Sequence, residues 1–308
     1  MTEQQIINQK IIKTDVVEIG DPFVLLYEGK YYMYATTHRH AGGIKPGFKV
    51  WVSDDMVKWE DKGLCYYEPK WGFECFWAPE VYYHEGKFFM YFSAKWSKNK
   101  SMRTGIAVAD SPLGRFEDVD GQPMDFGYAA IDGSVLIDDD GKKYFYYAKD
   151  CSENIVDGKN TSQIWVVRLK DDMITTEGEH TLVSTPDNEW ELMNDEYRWN
   201  EGPVMLKRDG LYYLFYSSSP FWSPNYSVNY STSKSPFGPF VKAKENPILV
   251  QIPGEISGPG HNAFFETKGG QLMTCYHIHT NMDKPDGNRR ACFSKMYFRD
   301  GLAVIDYK

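Results

Sequence analysis

The sequence predicts an all-β fold, a single five-bladed β-propeller, from three observations. A segment made of an apolar stretch, a glycine turn and an alternating aromatic stretch recurs five times in the 308 residues. Short runs rich in Val, Tyr and Phe flank turns such as Glu28-Gly29-Lys30 and Asp209-Gly210, a pattern typical of β-hairpins. Apolar residues do not keep helical spacing over any long window, so the chain offers little helix.

The five copies align on a small apolar anchor ahead of each glycine turn. The copies begin near residues 21, 78, 132, 201 and 260, and their anchors are Val24, Val81, Val135, Val204 and Ala263. The later segments "ADSPLGRF" and "SKSPFGPF" also match, which indicates a repeat longer than a hairpin, with four strands. Four strands repeated five times predict blades around a central channel. Since no Pro/Gly/Ser-rich linker divides the chain, we expect one domain over residues 1–308.

Composition narrows the class of partner. The 43 acidic and 34 basic residues give a net charge of −9, which disfavours a nucleic-acid binder. Aromatic residues make up 16% of the chain, and aromatic rings pack on the apolar faces of sugars. No apolar run is long enough to span a membrane, and the first residues resemble no signal peptide. We therefore expect a cytoplasmic protein, or a secreted one if a leader has been removed, with a small oligosaccharide as partner, no nucleic acid and no membrane.

Three copies carry a carboxylate three residues before the anchor: Asp21, Asp132 and Glu201. Equivalent residues at the start of each inner strand of a propeller surround the mouth of the channel. A single acid there is an ordinary turn residue, but three acids brought together repel one another, a cost that a purely structural design avoids. Three close carboxyl groups suit glycoside hydrolysis. One protonates the leaving oxygen, one activates water, and the third raises the pKa of the acid.

The motifs "GDPFVLLYEGKYYMY", "FWAPEV", "AIDGSV", "NEGPV" and "GPGHN" together resemble glycoside hydrolase family 43, in the family's order and over nearly the whole chain. That family comprises five-bladed propellers such as β-xylosidases, α-L-arabinofuranosidases and arabinanases. The resemblance implies that Asp21 is the general base, Asp132 tunes and orients the acid, and Glu201 is the general acid. It also implies inversion in a single displacement, for which the base and the acid lie roughly 6.5–9.5 Å apart.

His261 follows the equivalent position of the fifth copy by one residue, and we expect it to face the channel. Taken alone, the segment favours a hydrogen-bonded and inert turn residue. The resemblance implies that it contacts substrate or holds a hydrated cation, often calcium, through waters. Calcium prefers oxygen ligands, and the chemistry itself requires no cofactor. Arg289 resembles the arginine that reaches into an exo-acting pocket of the family, with Arg290 as the adjacent alternative.

Further aromatic and acidic residues are candidates for the pocket wall. Trp77 is either a sugar-stacking ring or a core residue between blades, and Glu80 either lines the pocket or hydrogen-bonds a neighbouring loop. Phe221, followed by Trp222, is a candidate for the rim. His38 and His40 are expected to be solvated loop residues.

Taken together, these features predict an inverting exo-glycosidase that removes terminal β-D-xylosyl or α-L-arabinofuranosyl residues from oligosaccharides of plant polysaccharides. Two alternatives remain open. One is an endo- or exo-arabinanase of the same family. The other, from a different class, is a non-catalytic carbohydrate-binding propeller, although the presence of all three acids favours an enzyme.

Overall fold

The computed structural model describes residues 3–37, 46–285 and 288–308. His38 and His40 lie outside the described residues. The described chain is all-β, as predicted, and its helices are short: α1 (Glu3–Ile7) and a 3-10 helix (Glu189–Glu191). Neither described helix has the length and apolar character needed to cross a membrane.

Successive strands form five antiparallel groups, which we call units one to five. Unit one contains β1 (Ile12–Tyr27), β2 (Lys30–Thr37), β3 (Gly47–Ser53) and β4 (Glu60–Tyr67). Unit two contains β5 (Gly72–His84), β6 (Lys87–Trp96), β7 (Met102–Ala109) and β8 (Glu117–Asp118). Unit three contains β9 (Ala130–Ile137), β10 (Lys143–Lys149), β11 (Ile155–Val156), β12 (Lys159–Leu169) and β13 (Thr176–Ser184).

The last two units repeat the same order. Unit four contains β14 (Tyr197–Arg208), β15 (Leu211–Ser218), β16 (Ser227–Ser233) and β17 (Val241–Lys242). Unit five contains β18 (Gly260–Glu266), β19 (Leu272–His279), β20 (Arg289–Arg299) and β21 (Leu302–Asp306). The first two strands of every unit pair antiparallel, which confirms the five predicted hairpins.

Neighbouring units are joined at two places by strand pairing. The first half of β1 pairs with β20, so the start of the chain completes the sheet of its last unit. A short parallel pairing between β12 and β14 links units three and four. Both ends of the repeat array are therefore tied to one another by backbone hydrogen bonds.

The core lies between the faces of neighbouring units. Three second-strand tyrosines show this arrangement, since each donates its hydroxyl to a carbonyl of the next unit along the chain. Tyr34 donates to Pro112 O (2.6 Å), Tyr91 to Met173 O (2.5 Å) and Tyr146 to Pro236 O (2.8 Å). Side chains two residues apart on a strand share a face, so residues 36, 93 and 148 point toward the next unit as well.

Candidate functional site

A β-bulge interrupts the first strand of every unit at the same place. Pairing breaks after Gly20, Trp77, Ile131, Glu201 and Gly260, and it resumes three residues later. The residue after each break has a positive φ: Asp21 (50°), Ala78 (46°), Asp132 (58°), Gly202 (55°) and His261 (48°). Such conformations cost a non-glycine residue roughly 1–3 kcal/mol and cluster at functional sites.

The bulge positions show that the predicted alignment of units four and five is wrong by one residue. His261 occupies the backbone place of Asp21 and Asp132, rather than the place one residue beyond it. Glu201 lies one residue earlier, at the last paired position before the bulge. The prediction that Glu201 shares the repeat position of the other two acids is therefore wrong. The anchors caused the error, because Val204 is the first paired residue after its bulge, whereas Val24 is the second.

The backbone amide of each bulge residue is bound by a side chain of the preceding unit. In four units the acceptor comes from a second strand: His277 for Asp21, Thr36 for Ala78, Ser93 for Asp132 and Ser217 for His261. In unit four the acceptor is Asp132 Oδ2, 3.0 Å from the amide nitrogen of Gly202. These contacts bind the bulge in the first strand of each unit to the preceding unit.

One cavity of about 450 Å³ gathers the three acids. Asp21, Asp132 and Glu201 all line it, although they are far apart in the chain. Four of the other predicted site residues line the same cavity: Trp77, Phe221, His261 and Arg289. Arg289, rather than Arg290, is the arginine in this cavity.

The structure does not place Glu80 with the other candidates. Its side chain is buried, is not among the residues that line the cavity, and accepts a hydrogen bond from the Tyr82 hydroxyl, which also contacts Ser134. The expectation that Glu80 lines the pocket is thus wrong. Two residues past the bulge, the strand pairs again and its side chain turns into the protein.

Asp21 lies in a positively charged and hydrogen-bonded environment. Arg289 Nη1 is 2.8 Å from Asp21 Oδ1, and the Thr36 hydroxyl donates to Asp21 Oδ2 at 2.6 Å. Burial alone raises the pKa of a carboxyl group, but the neighbouring Arg289, and after it His261, outweigh burial. The pKa of Asp21 is held well below its ordinary value. The cavity therefore contains one carboxylate that stays ionised.

His277 is neutral and binds the backbone of Asp21. Burial first, and the neighbouring Arg289 second, lower the pKa of His277 well below its ordinary value. Its Nδ1 atom accepts the backbone N–H of Asp21 at 3.2 Å. Since that nitrogen is an acceptor, its 3.4 Å approach to Asp21 Oδ1 is not an ion pair.

Glu201 has the opposite environment. Burial raises its pKa well above the ordinary value, the neighbouring charge of Asp132 raises it further, and the Tyr226 hydroxyl, which donates to Oε1 at 2.9 Å, opposes the shift only in part. Burial likewise raises the pKa of Asp132 to about 6. The cavity thus contains a protonated carboxyl group beside an ionised one, the pairing that acid–base hydrolysis needs.

Comparison with known proteins identifies the family of this chain. The family model for glycosyl hydrolases family 43 matches residues 16–303. The chain belongs to this family. It is accordingly a glycoside hydrolase, as the resemblance predicts, and its family indicates a carbohydrate substrate.

Individual relatives of this family 43 chain cover nearly its full length. It is 30% identical to "Beta-D-galactofuranosidase xynD" of Aspergillus niger, over 93% of this chain and 81% of the relative. It is 31% identical to "Xylosidase/arabinosidase 43A" of Humicola insolens, over 93% and 96% of the two chains. Among solved structures, a thermostable family-43 glycoside hydrolase superposes with a TM-score of 0.90 at 40% identity, covering 95% of this chain and 94% of that one.

Several cavity residues of this family 43 hydrolase escaped the sequence reasoning. Tyr226, which binds Glu201, lies in a unit-four loop without a counterpart in the repeat. Asp150 and Cys151, which follow β10, line the cavity as well. Thr36 and His277 carry a signal that a repeat alignment of the second strands reveals, since each pairs with the last residue before the bulge of its own hairpin.

Two glycines make room for cavity side chains. A Cβ atom on Gly20 would lie 2.0 Å from Nη2 of Arg289, and one on Gly260 would lie 2.3 Å from the ring of Tyr226. Both glycines occupy the last paired position before the bulge, the position that Glu201 has in unit four. Where this position carries no side chain, Arg289 and Tyr226 fill the space.

The described residues do not form an all-protein calcium site around His261. No group of three or more His, Cys, Asp or Glu side chains in the described ranges is arranged to hold a metal ion. Calcium takes six to eight oxygen ligands, and the nearest acidic contact of His261 is Asp21, already bound by Arg289. A hydrated cation held through waters stays a prediction, and no step below uses a metal.

Proposed function

We propose that this hydrolase removes terminal β-D-xylosyl or α-L-arabinofuranosyl residues from oligosaccharides, with inversion of the anomeric configuration. Glu201 is the general acid, Asp21 is the general base, and Asp132 raises the pKa of Glu201. One observation carries the proposal: the same cavity holds a carboxylate with a lowered pKa and a carboxyl group with a raised pKa.

The proposed step is a single displacement. The Asp21 carboxylate takes a proton from water while the water oxygen forms a bond to the anomeric carbon. The glycosidic C–O bond breaks, and the Glu201 proton passes to the departing oxygen. The charge of Arg289 keeps Asp21 ionised, and burial beside Asp132 keeps Glu201 protonated near neutral pH.

The proposal includes a five-bladed propeller that comprises residues 1–308 as one domain. Five equivalent bulges, each bound to the preceding unit, and the pairing of β1 with β20 support this arrangement. In it, the five inner strands surround one channel and the cavity lies at its mouth.

The choice of sugar rests on the relatives. The Humicola protein is named for xylose and arabinose, while the Aspergillus protein is named for β-D-galactofuranose. Arg289, which lies in the cavity over the ring of Phe221 at 4.9 Å, offers a donor to sugar hydroxyls. An arabinan-cleaving enzyme is distinguished from an enzyme that releases terminal xylose or arabinose from short oligosaccharides by the products that it forms from arabinan.

The test is hydrolysis of a panel of p-nitrophenyl glycosides, arabinan and short oligosaccharides by the wild type and Asp21→Asn. We expect release of terminal xylose or arabinose by the wild type and a loss of about 10²–10⁴-fold in the variant. Proton NMR of the first-formed sugar is expected to show inverted configuration. Retained configuration contradicts the single displacement, and equal background rates in both proteins support a non-catalytic binding protein.

A further inference from the structure

In each unit one second-strand residue faces the bulge of the next unit, and four of these five residues carry a hydrogen-bond acceptor. Thr36, Ser93, Ser217 and His277 each present an acceptor atom to a bulge amide, as described above. Their counterpart in unit three is Ala148. It pairs with Ile131, the last residue before the bulge, as Thr36 pairs with Gly20. Its methyl group accepts no hydrogen bond.

The amide that Ala148 leaves unbound belongs to Gly202, the residue after Glu201. Asp132 Oδ2 accepts this N–H at 3.0 Å. A catalytic-site carboxylate thus takes the place that a hydroxyl or imidazole takes elsewhere. Ala148 is completely buried.

Unit one shows what a hydroxyl does at this place. The Thr36 hydroxyl accepts the amide N–H of Ala78 at 2.7 Å and donates to Asp21 Oδ2 at 2.6 Å. The hydroxyl therefore stands between the Asp21 carboxylate and the next unit. Asp21 and Asp132 have the same backbone conformation, with φ of 50° and 58°. The side chain at the second-strand position accordingly decides whether the acid reaches the neighbouring amide.

We propose that Ala148 is a positioning residue: by offering no acceptor to the Gly202 amide, it leaves that amide to Asp132 and so holds the Asp132 carboxylate against the segment that carries Glu201. The proposal rests on the proposed function for its catalytic consequence. In unit one the Thr36 hydroxyl lies between the carboxylate and the amide of the next unit, whereas Asp132 contacts the Gly202 amide directly. Asp132 is a main contributor, after burial, to the raised pKa of Glu201.

The test inserts the missing hydroxyl. In Ala148→Ser and Ala148→Thr we expect the new hydroxyl to accept the Gly202 N–H and donate to Asp132, as Thr36 does for Ala78 and Asp21. The charge of Asp132 then lies farther from Glu201, whose pKa falls. The basic limb of kcat/KM against pH moves to lower pH, so the rate on the alkaline side falls roughly three- to tenfold relative to the plateau.

Ala148→Val is the matched control, because valine has the shape of threonine without its hydroxyl. We expect the basic limb of Ala148→Val to stay at the wild-type pH, even if packing lowers the thermal stability or kcat. A shift in Ser and Thr but not in Val supports the proposal. A shift in all three variants, or in none of them, overturns it.

A second readout needs no turnover. The carboxyl resonance of Glu201 in protein labelled with 13C at glutamate side-chain carboxyls, assigned by its loss in Glu201→Gln, reports the titration of Glu201 directly. We expect this titration to move to lower pH in Ala148→Ser. If the wild type hydrolyses no glycoside and the resonance still moves, the proposed function fails while the positioning inference stands. An unmoved resonance overturns the inference whatever the activity.

Discussion

Asp21 and Asp132 begin from the same backbone geometry and end in opposite chemical states. Each is the positive-φ residue of a β-bulge, and each amide is bound by the preceding unit. Arg289 lowers the pKa of Asp21 against the effect of burial, whereas burial raises the pKa of Asp132 to about 6. Because the local backbone is shared, the difference in role arises from side chains that other units supply.

The comparison shows how equivalent positions of a repeat protein come to hold carboxyl groups with different pKa values. Arg289 comes from the third strand of unit five, and Glu201 comes from the first strand of unit four. The repeat places an acid at the cavity mouth, and the neighbouring unit decides whether that acid is ionised.

The largest expected effect is a loss of kcat/KM whose dependence on the leaving group distinguishes the proposed base from the proposed acid. Asp21→Asn removes the proposed base, so we expect kcat/KM to fall about 10²–10⁴-fold on both oligosaccharides and p-nitrophenyl glycosides. Glu201→Gln removes the proposed acid, and p-nitrophenolate departs with little need for a proton. We therefore expect a similar loss on oligosaccharides but a much smaller loss on the aryl substrate.

Steady-state kinetics of the two variants on both substrates provide the measurement. Tyr226→Phe serves as a control, since it removes one hydrogen bond to Glu201 and keeps the carboxyl group. Equal losses of Glu201→Gln on good and poor leaving groups would show that Glu201 is not the proton donor. The assignment of opposite roles to the two regions would then be wrong.

A smaller effect tests why Asp21 stays ionised. Arg289→Met removes the charge that lowers the pKa of Asp21, so this pKa rises and the base is protonated at higher pH. The acidic limb of kcat/KM against pH therefore moves to higher pH, with the rate on the acid side falling roughly tenfold for each pH unit of movement.

Arg290→Met is the matched control for that experiment. Arg290 is the next residue on β20 and lies outside the residues that line the cavity. We expect its acidic limb to coincide with that of the wild type. If Arg290→Met moves the limb and Arg289→Met does not, the environment of Asp21 described above is incorrect.

Much of this site can be predicted from the sequence because the repeat consists of recognisable apolar stretches and glycine turns. Those patterns predict the hairpins, and the hairpins bring Asp21, Asp132 and Glu201 to one cavity. A one-residue bulge leaves the apolar pattern unchanged, so the sequence alignment misplaces His261 by one residue. Register errors of this kind arise because an extra residue in a strand alters the backbone without altering its composition.

The electrostatic partners were less accessible to sequence reasoning. Thr36, Tyr226 and His277 act through contacts that the repeat pattern does not show. Asp21 and His277, for example, are in contact although they lie 256 positions apart in the chain. Glu80 shows the reverse case, since its motif suggested the pocket, while the strand pairing turns it inward. Which face a residue presents after a bulge depends on the pairing register, and the motif alone does not contain it.

The smallest expected effect on catalysis, and a distinct effect on stability, concerns Glu80. Burial raises the pKa of Glu80 from 4.5 to about 8. The folded protein therefore keeps a proton that the unfolded chain releases between these pH values. The stability contributed by this proton is complete below the unfolded pKa and is lost as the pH rises through the folded pKa. Glu80→Gln removes this titration, so we expect its free energy of unfolding to decline less from about pH 5 to about pH 9, by a few kcal/mol.

Urea unfolding of the wild type and Glu80→Gln at both pH values measures the difference. Glu85→Gln is the matched control, because Glu85 lies in the turn of the same hairpin with 84% of its side chain exposed. We expect the control to follow the wild type. An identical pH dependence in all three proteins would show that Glu80 is ionised in the folded state. A third carboxylate would then lie beneath Asp132, and the contrast between the ionised environment of Asp21 and the protonated environment around Asp132 and Glu201 would need another source than burial.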